Sequence, residues 1–326
     1  MGLVYIGKVV NIEPILNADK IERLDVTTGH GQWSGIAVKE QFTVGDLCQV
    51  YLQDSIVPMT PEFAFMERHH YRVRMVRLRG VPSECLIMPK TLEGNLGDDV
   101  TDLAGVTKYE KPLPVGMGDI AGHFPSFIPK TDEPNFQSVP EVVLALRGLS
   151  WYATIKADGT SCTMYRWQGH FGVCSRNYEI KQSDQSTLWQ LAQKYHLDTD
   201  LPDGYVVQGE VVGPGIQGNP LGLKEPDLLV FNVYNITEQQ YLNGVSFMSF
   251  LETVGLHLHF VTRLNGLDDS FNLNDDELRQ LSEQQVYPNG KPAEGVVIRP
   301  LEEQSVIVDG TPTRLSFKVV SLSYRD

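Results

Sequence analysis

Along the first third of the chain, apolar and polar positions alternate in short runs. LVYIGKVVNIEPI, RLDVTTGHG, DLCQVYL and RVRMVRLRG are rich in β-branched residues, and Gly, Asp and Asn separate them. A period of two sends successive side chains to opposite faces, so each run predicts a short strand. Several short strands with frequent turns suit a small barrel of five strands. After residue 104 the alternation stops. GVTKYEKPLPVGMGDIAGHFP is rich in Gly and Pro without periodicity, and it predicts a linker over 105–125.

From residue 126 strands alternate with a few helices. FIPKTDEPNFQSVPEVVLAL predicts a short helix after Pro140. WYATIKA, TSCTMYRWQ and HFGVCSR read as successive antiparallel strands. In TLWQLAQKYHL, Leu188, Leu191, Ala192 and Tyr195 fall at helical spacing and predict an amphipathic helix on a sheet. YVVQGEVV and DLLVFNVYNI are strands, VSFMSFLETVGL a helix, and EGVVIRP and RLSFKVVSLSY the last strands. The fold class is α+β: a β-barrel over 1–104, then a domain over 126–326 of antiparallel sheets with flanking helices.

Composition narrows the choices. The 326 residues suit about two domains. No apolar run reaches the roughly 18 residues of a membrane span. The start, MGLVYIGKVV, lacks a basic, apolar leader, and Ile6 stands where a myristoylation signal needs Ser or Thr. Cys48, Cys85, Cys162 and Cys174 show no CxxC spacing, which suits reduced thiols in a cytoplasmic protein. His69–His70 and His257/His259 stand in no metal-motif frame and read as structural. The net charge of −14 opposes bulk electrostatic binding of nucleic acid, so any contact needs a local patch. RHHYRVRMVRLRG supplies one, with Arg68, Arg72, Arg74, Arg77 and Arg79 and no acid between them. As a strand it would put Arg72 with Arg74, and Arg77 with Arg79, on shared faces. That serves either a charge-guarded edge or a surface that tracks phosphates.

The sharpest chemistry lies in IKADGTSCTMY. Lys156 ends a strand two residues before Asp158-Gly159. It is either a surface charge beside an Asp-Gly hairpin turn or a nucleophile. Four signals follow in order. Arg176 sits at a strand end. Glu210 precedes a loop containing Gly213, Gly215, Gly218 and Gly222, which is not a P-loop because no GKS or GKT follows. Phe231 lies in LLVFNVYNI, where it either stacks on a base or fills a core. Glu294 opens EGVVIR, and Lys318 lies in SFKVVS; they suit a metal-binding carboxylate and a phosphate-binding charge.

In this order the set resembles the covalent nucleotidyltransferase superfamily of ATP-dependent ligases and mRNA capping enzymes. The resemblance covers about 127–324. It implies that Lys156 is the nucleophile, within the Lys156-x-Asp158-Gly159 motif, and that Arg176 belongs to the next motif. It implies that Glu210 holds the ribose, Phe231 supplies the aromatic, Glu294 is linked to the metal and Lys318 binds phosphate. IGKVVNIEPILNADKIERLDV is similar to the opening of OB modules of tRNA-binding proteins. An OB module before the nucleophile, with FIPKTDEPNFQ and IQGNP, resembles the RNA ligase branch known from Deinococcus and Naegleria. The implied enzyme is an ATP-dependent RNA ligase that uses Mg²⁺ or Mn²⁺ and acts as a monomer. It joins RNA 3′-OH and 5′-phosphate ends at nicks in duplexes through lysyl-AMP, with Arg72, Arg74, Arg77 and Arg79 as candidate RNA contacts. Val320 replaces the second lysine of the family's last motif, whose task falls to Arg299 or another residue, or is absent. Asp19 and Asp25 are candidates to help with the leaving group or its metal. The rivals are a DNA nick ligase, a GTP-using capping-type transferase and a non-catalytic RNA-binding protein.

Overall fold

The structure, a computed structural model, describes residues 2–109, 118–257, 259–264, 270–308 and 310–324. The chain divides into two compact units, Met1–Pro112 with Gln137–Pro140, and Leu113–Phe136 with Glu141–Asp326.

The first unit contains β1 (Val4–Pro14), β2 (Ile21–Thr27), β3 (Gln32–Val38), β4 (Leu47–Tyr51), β5 (Ser55–Ile56), β6 (Val76–Leu78), β7 (Val81–Ser83), β8 (Leu86–Pro89) and β9 (Thr107–Lys108). Five of these form one antiparallel sheet in the order β3-β2-β1-β4-β8. Strand β1 is buried on both faces where it begins. Val4 and Ile6 pack with Tyr51, Phe63 and Val100, while Val9 packs with Leu24, Val26, Trp33 and Ile87. A bulge between Val9 and Asn11 adds local twist to the sheet.

The basic run is not the single strand expected from its alternation. A 3-10 helix spans Pro61–His69, and His70 and Tyr71 both have positive φ. Arg72 makes one isolated bridge to Ile56, and only Val76–Leu78 is a strand. Arg79 has a φ of 53° and Gly80 of 84°, so the pair forms the tight turn from β6 to β7. Arg79 therefore does not share a strand face with Arg77. Arg72 is bound to Asp54 at 2.7 Å, with its guanidinium 3.8 Å from the centre of the Tyr109 ring.

The second unit holds β10 (Ile120–His123), α1 (Pro140–Leu146), β11 (Trp151–Lys156), β12 (Thr160–Trp167), β13 (His170–Cys174), β14 (Tyr178–Ile180), α2 (Thr187–Lys194), α3 (Leu197–Asp200), β15 (Tyr205–Val212), β16 (Asp227–Asn235), β17 (Gln240–Tyr241), α4 (Gly244–Thr253), α5 (Asp275–Glu283), β18 (Gly295–Pro300), β19 (Ser305–Val308), β20 (Thr311–Arg314) and β21 (Phe317–Val320). Seven strands form one sheet, β10-β14-β13-β12-β15-β16-β17, and three form another, β11-β18-β21. The stretch expected to be a linker thus contains β9 and β10, each paired in a sheet, while residues 110–117 lie outside the described residues. Behind the large sheet, Leu188, Leu191, Ala192 and Leu197 of α2 and α3 pack on Met164, Val207 and Val230. This is the amphipathic helix read from its spacing, capped by Ser186.

The expected run of successive antiparallel strands fails at its first member. Strands β11 and β12 lie in different sheets, so Asp158-Gly159 is not a hairpin turn. It carries the chain from one sheet to the other. Residues 259–264 link the same sheets. Val230 donates to the His259 carbonyl at 2.9 Å, and Ile155 donates to the Thr262 carbonyl at 2.8 Å. All four cysteines are buried and unpaired with one another.

Candidate active site

The small sheet gives the site its floor. Cross-strand partners and residues two apart share a face. Thr154 pairs with Val297 and Val297 with Lys318, while Lys156 pairs with Gly295 and Gly295 with Val320. Lys156, Lys318 and Arg299 therefore lie on one face. Ala153, Val296, Ile298, Phe317 and Val319 are buried on the other. Val320 occupies the same face as Lys318, so the position at which the resemblance leads one to expect a second lysine is an uncharged part of the floor.

Lys156 Nζ donates to Glu294 Oε2 at 2.6 Å, joining residues from the ends of β11 and β18. Burial alone would favour the neutral amine. The carboxylates of Glu294, Glu210 and Asp158 outweigh it and hold the ammonium above the usual lysine range. The protein groups by themselves thus do the reverse of what a nucleophilic lysine needs. The Tyr324 hydroxyl donates to Asp158 Oδ2 at 2.5 Å, so the last turn of the described chain reaches the Lys156 motif. Burial and the Asp158 charge push the Tyr324 hydroxyl well above its ordinary range.

The large sheet supplies Glu210 and Phe231. Glu210 pairs with Ser161 on β12 and Leu229 on β16. Gly159 must be glycine for Glu210 to sit there. A Cβ at 159 would come within 2.2 Å of the Val211 carbonyl oxygen and 2.9 Å of the Glu210 Cγ. Phe231 is the extra residue of a bulge, since Gln208 pairs with Asn232 and Gly209 with Val230. Bulges re-aim a side chain and often border active sites. Phe231 is half-buried.

A strap over 129–135 ties these parts together. Gln208 donates to the Pro129 carbonyl at 2.7 Å, Lys130 to Asn177 at 2.8 Å and Arg176 to Asp132 at 2.5 Å. The Lys318 backbone N–H donates to the Pro134 carbonyl at 2.8 Å. Arg299 is 2% exposed and donates to Glu133 at 2.6 Å, Ser316 at 3.1 Å and the Phe231 carbonyl at 3.1 Å. Its guanidinium thus joins strap and sheets, so among Arg299, another residue or none, these contacts favour the last two for the second lysine's task.

The structure thus brings Lys156, Asp158, Gly159, Glu210 and Glu294 together and sets Lys318 on the floor beside them. Arg176 is bound to the strap through Asp132, and Arg72, Arg74, Arg77 and Arg79 belong to the first unit. In that unit Asp25 accepts from Ser34 at 2.6 Å and from Arg23 at 3.0 Å. Sequence reasoning passed over Tyr287, Tyr324, Asp132 and Glu133. Only the strap residues had a signal, their place in FIPKTDEPNFQ. No group of three or more His, Cys, Asp and Glu surrounds one metal position among the described residues. Magnesium commonly uses one or two carboxylates plus substrate phosphates, not a closed protein cage. Glu294, at 2.6 Å from Lys156, fits a cation of that kind as a single carboxylate, while Glu210 and Asp158 act electrostatically on the same Lys156.

A model of the RNA ligase family matches residues 149–320, and an OB-fold domain model matches residues 3–90. A mutant of Naegleria gruberi RNA ligase solved in apo form is 29% identical, with a TM-score of 0.84 over 99% of this chain and 98% of that one. Another mutant of that ligase, with ATP and Mn, is 29% identical, with a TM-score of 0.83 over 98% and 97%. The same ligase with pyrophosphate is 29% identical, with a TM-score of 0.82 over 98% and 97%. No curated protein matches. The α+β organisation read from the alternation is that of these structures, with the OB fold at the N-terminal end. Since the family model spans more than half of the chain and every motif from Lys156 to Lys318, the chain belongs to the RNA ligase family.

Proposed function

We propose that this RNA ligase uses ATP, forms a covalent AMP adduct on Lys156 and seals nicks in duplexes as a monomer. The observation that carries the reading is the Lys156–Glu294 contact of 2.6 Å, with Glu210 and Asp158 close enough to act on the same ammonium. In the first step the Lys156 amine, having lost a proton, attacks the α-phosphorus. An N–P bond forms, the bond to the bridging oxygen breaks and pyrophosphate leaves. An RNA 5′-phosphate oxygen then attacks that phosphorus, the N–P bond breaks and the Lys156 amine is released. Finally a 3′-OH attacks the 5′-phosphate, losing its proton as the phosphodiester forms and AMP leaves.

A divalent ion held by Glu294 would neutralise developing phosphate charge and favour the uncharged amine. Glu294 would exchange its contact with Lys156 for that ion. Glu210 would bind the ribose, Phe231 would face the base, and Lys318 would offset charge on the α-phosphate. Arg176 would serve the same nucleotide, moving from Asp132. Relatives solved with ATP and Mn and with pyrophosphate support ATP as the donor. Among the described residues no helix is long and apolar enough to cross a membrane.

The test is transfer of label from α-labelled ATP, and separately GTP, to the denatured polypeptide with Mg²⁺ or Mn²⁺. ATP labels the wild type, Lys156→Ala abolishes the label, and Glu294→Ala and Lys318→Ala reduce it severely. Label that persists in Lys156→Ala removes the assignment, and label from GTP alone turns the reading to capping chemistry. Joining of nicked RNA duplexes, compared with nicked DNA, tests the substrate. Sedimentation of the active species tests the monomer.

A further inference from the structure

The ladder between β11 and β18 ends at the pair Lys156–Gly295. The next backbone groups, the N–H of Asp158 and the N–H of Glu294, lie beyond its last rung and need partners from elsewhere. One side chain provides both. The Tyr287 hydroxyl accepts from Asp158 N at 3.1 Å and from Glu294 N at 3.1 Å, and it donates to the Lys156 carbonyl at 3.0 Å. A phenol has one proton to give and lone pairs to receive, so these bonds match its capacity.

Tyr287 is itself held firmly. It is 2% exposed, and its ring packs against Ala157, Val212, Leu221 and Ala293. Its N–H donates to the Lys291 carbonyl at 2.8 Å, Gly290 returns a bond to its carbonyl at 2.8 Å, and Ala293 donates to Gln285 at 3.0 Å. A rigid turn thus presents one hydroxyl to the backbone on both sides of the Lys156–Glu294 contact.

We propose that Tyr287 is a positioning residue for lysine adenylylation: its hydroxyl extends the β11–β18 register past the ladder and fixes Lys156 against Glu294. The inference rests on Lys156 being the nucleophile. Tyr287 touches no reacting atom; it acts through the backbone of residues that do.

The test uses Tyr287→Phe, which keeps the ring and removes the hydroxyl. Two reactions are followed in the full-length protein: single-turnover label transfer from α-labelled ATP over a range of ATP concentrations, and joining of pre-adenylylated RNA ends. Misplacement by about an ångström costs on the order of 100-fold in rate. The expected result is a loss of that size in covalent AMP formation at saturating ATP. The half-saturating ATP concentration and the joining of pre-adenylylated ends stay near wild type, because Lys156 neither attacks nor leaves in that last reaction. Tyr287→4-aminophenylalanine keeps the donor toward the Lys156 carbonyl but offers one weak acceptor in place of two; it replaces the Phe variant, with the same expected split between the two reactions, if that variant does not fold. Parallel loss of both reactions, or unchanged adenylylation, in the folded variant overturns the proposal. Wild-type protein that takes no label sinks instead the nucleophile reading beneath it.

Discussion

Gly159 shows what a single position in the site is required to do. The obstacle to a side chain there is the Val211 carbonyl oxygen, 2.2 Å from where a Cβ would stand, and that oxygen belongs to a central strand. A backbone atom in a paired strand cannot rotate away. Gly159→Ala should therefore push the Lys156 motif off Glu210, at a cost of about 1–3 kcal/mol by the usual price of overpacking. Thermal unfolding and label transfer from ATP should both report it, with transfer falling more steeply than stability. The glycine, the lysine and the carboxylates were legible as motifs, because each is a short run of unusual residue types. The contact between Lys156 and Glu294 was not, because 138 residues separate them and the register between their strands joins them. Tyr287 and Tyr324 were illegible for the same reason. A tyrosine in a Pro-Asn-Gly turn or near a chain end shows nothing locally of where its hydroxyl points.

Among the elements, α5 and the strap make two different claims on stability. Helix α5 begins with a complete capping box, in which Asn274 accepts from Glu277 N at 3.0 Å and Glu277 accepts from Asn274 N at 2.8 Å. Asn274→Ala should cost about 1 kcal/mol and lower the unfolding temperature while leaving AMP transfer intact below it. The strap depends on Glu133. Burial opposes its charge, but Arg299 and Arg314 overcome that and hold its carboxyl below the usual range. A carboxyl with a lowered folded value contributes stability that is full above its unfolded value and is lost as pH falls through the folded one. Glu133→Gln should destabilise the protein by about 3 kcal/mol near neutrality, as loss of one partner leaves buried charge uncompensated. The gap from wild type should close on acidification. Urea unfolding at a series of pH values decides this; a gap that stays constant would put the stabilisation elsewhere. Strands and helices were legible from periodicity, yet two readings failed at their edges. Arg-rich alternation over 72–80 looked like a strand because charge pattern carries no record of the positive φ at His70, Tyr71 and Arg79. Asp158-Gly159 looked like a hairpin because the same dipeptide serves a passage between sheets.

For the whole molecule, a net charge of −14 and an RNA substrate pull in opposite directions. The contradiction eases because screening acts within about 8 Å at physiological ionic strength, so distant acids count for little beside local arginines. Affinity for RNA then depends on how many phosphates are met, and its salt slope counts those contacts and not the net charge. The arginine run does not act as one unit in this count. Arg72 is spent on Asp54 and Tyr109, whereas Arg77 and Arg79 are exposed along the β6–β7 hairpin. If the hairpin meets the substrate, Arg77→Ala and Arg79→Ala should each weaken binding of a nicked RNA duplex and lower the salt slope by about one. Arg72→Ala should instead lower the unfolding temperature and leave that slope unchanged. Equilibrium binding across a salt series, run on all three variants with catalysis blocked by Lys156→Ala, separates the roles. Equal slopes for wild type and the Arg77 and Arg79 variants would move the RNA contact off this hairpin and leave the run as a charged guard on an exposed edge.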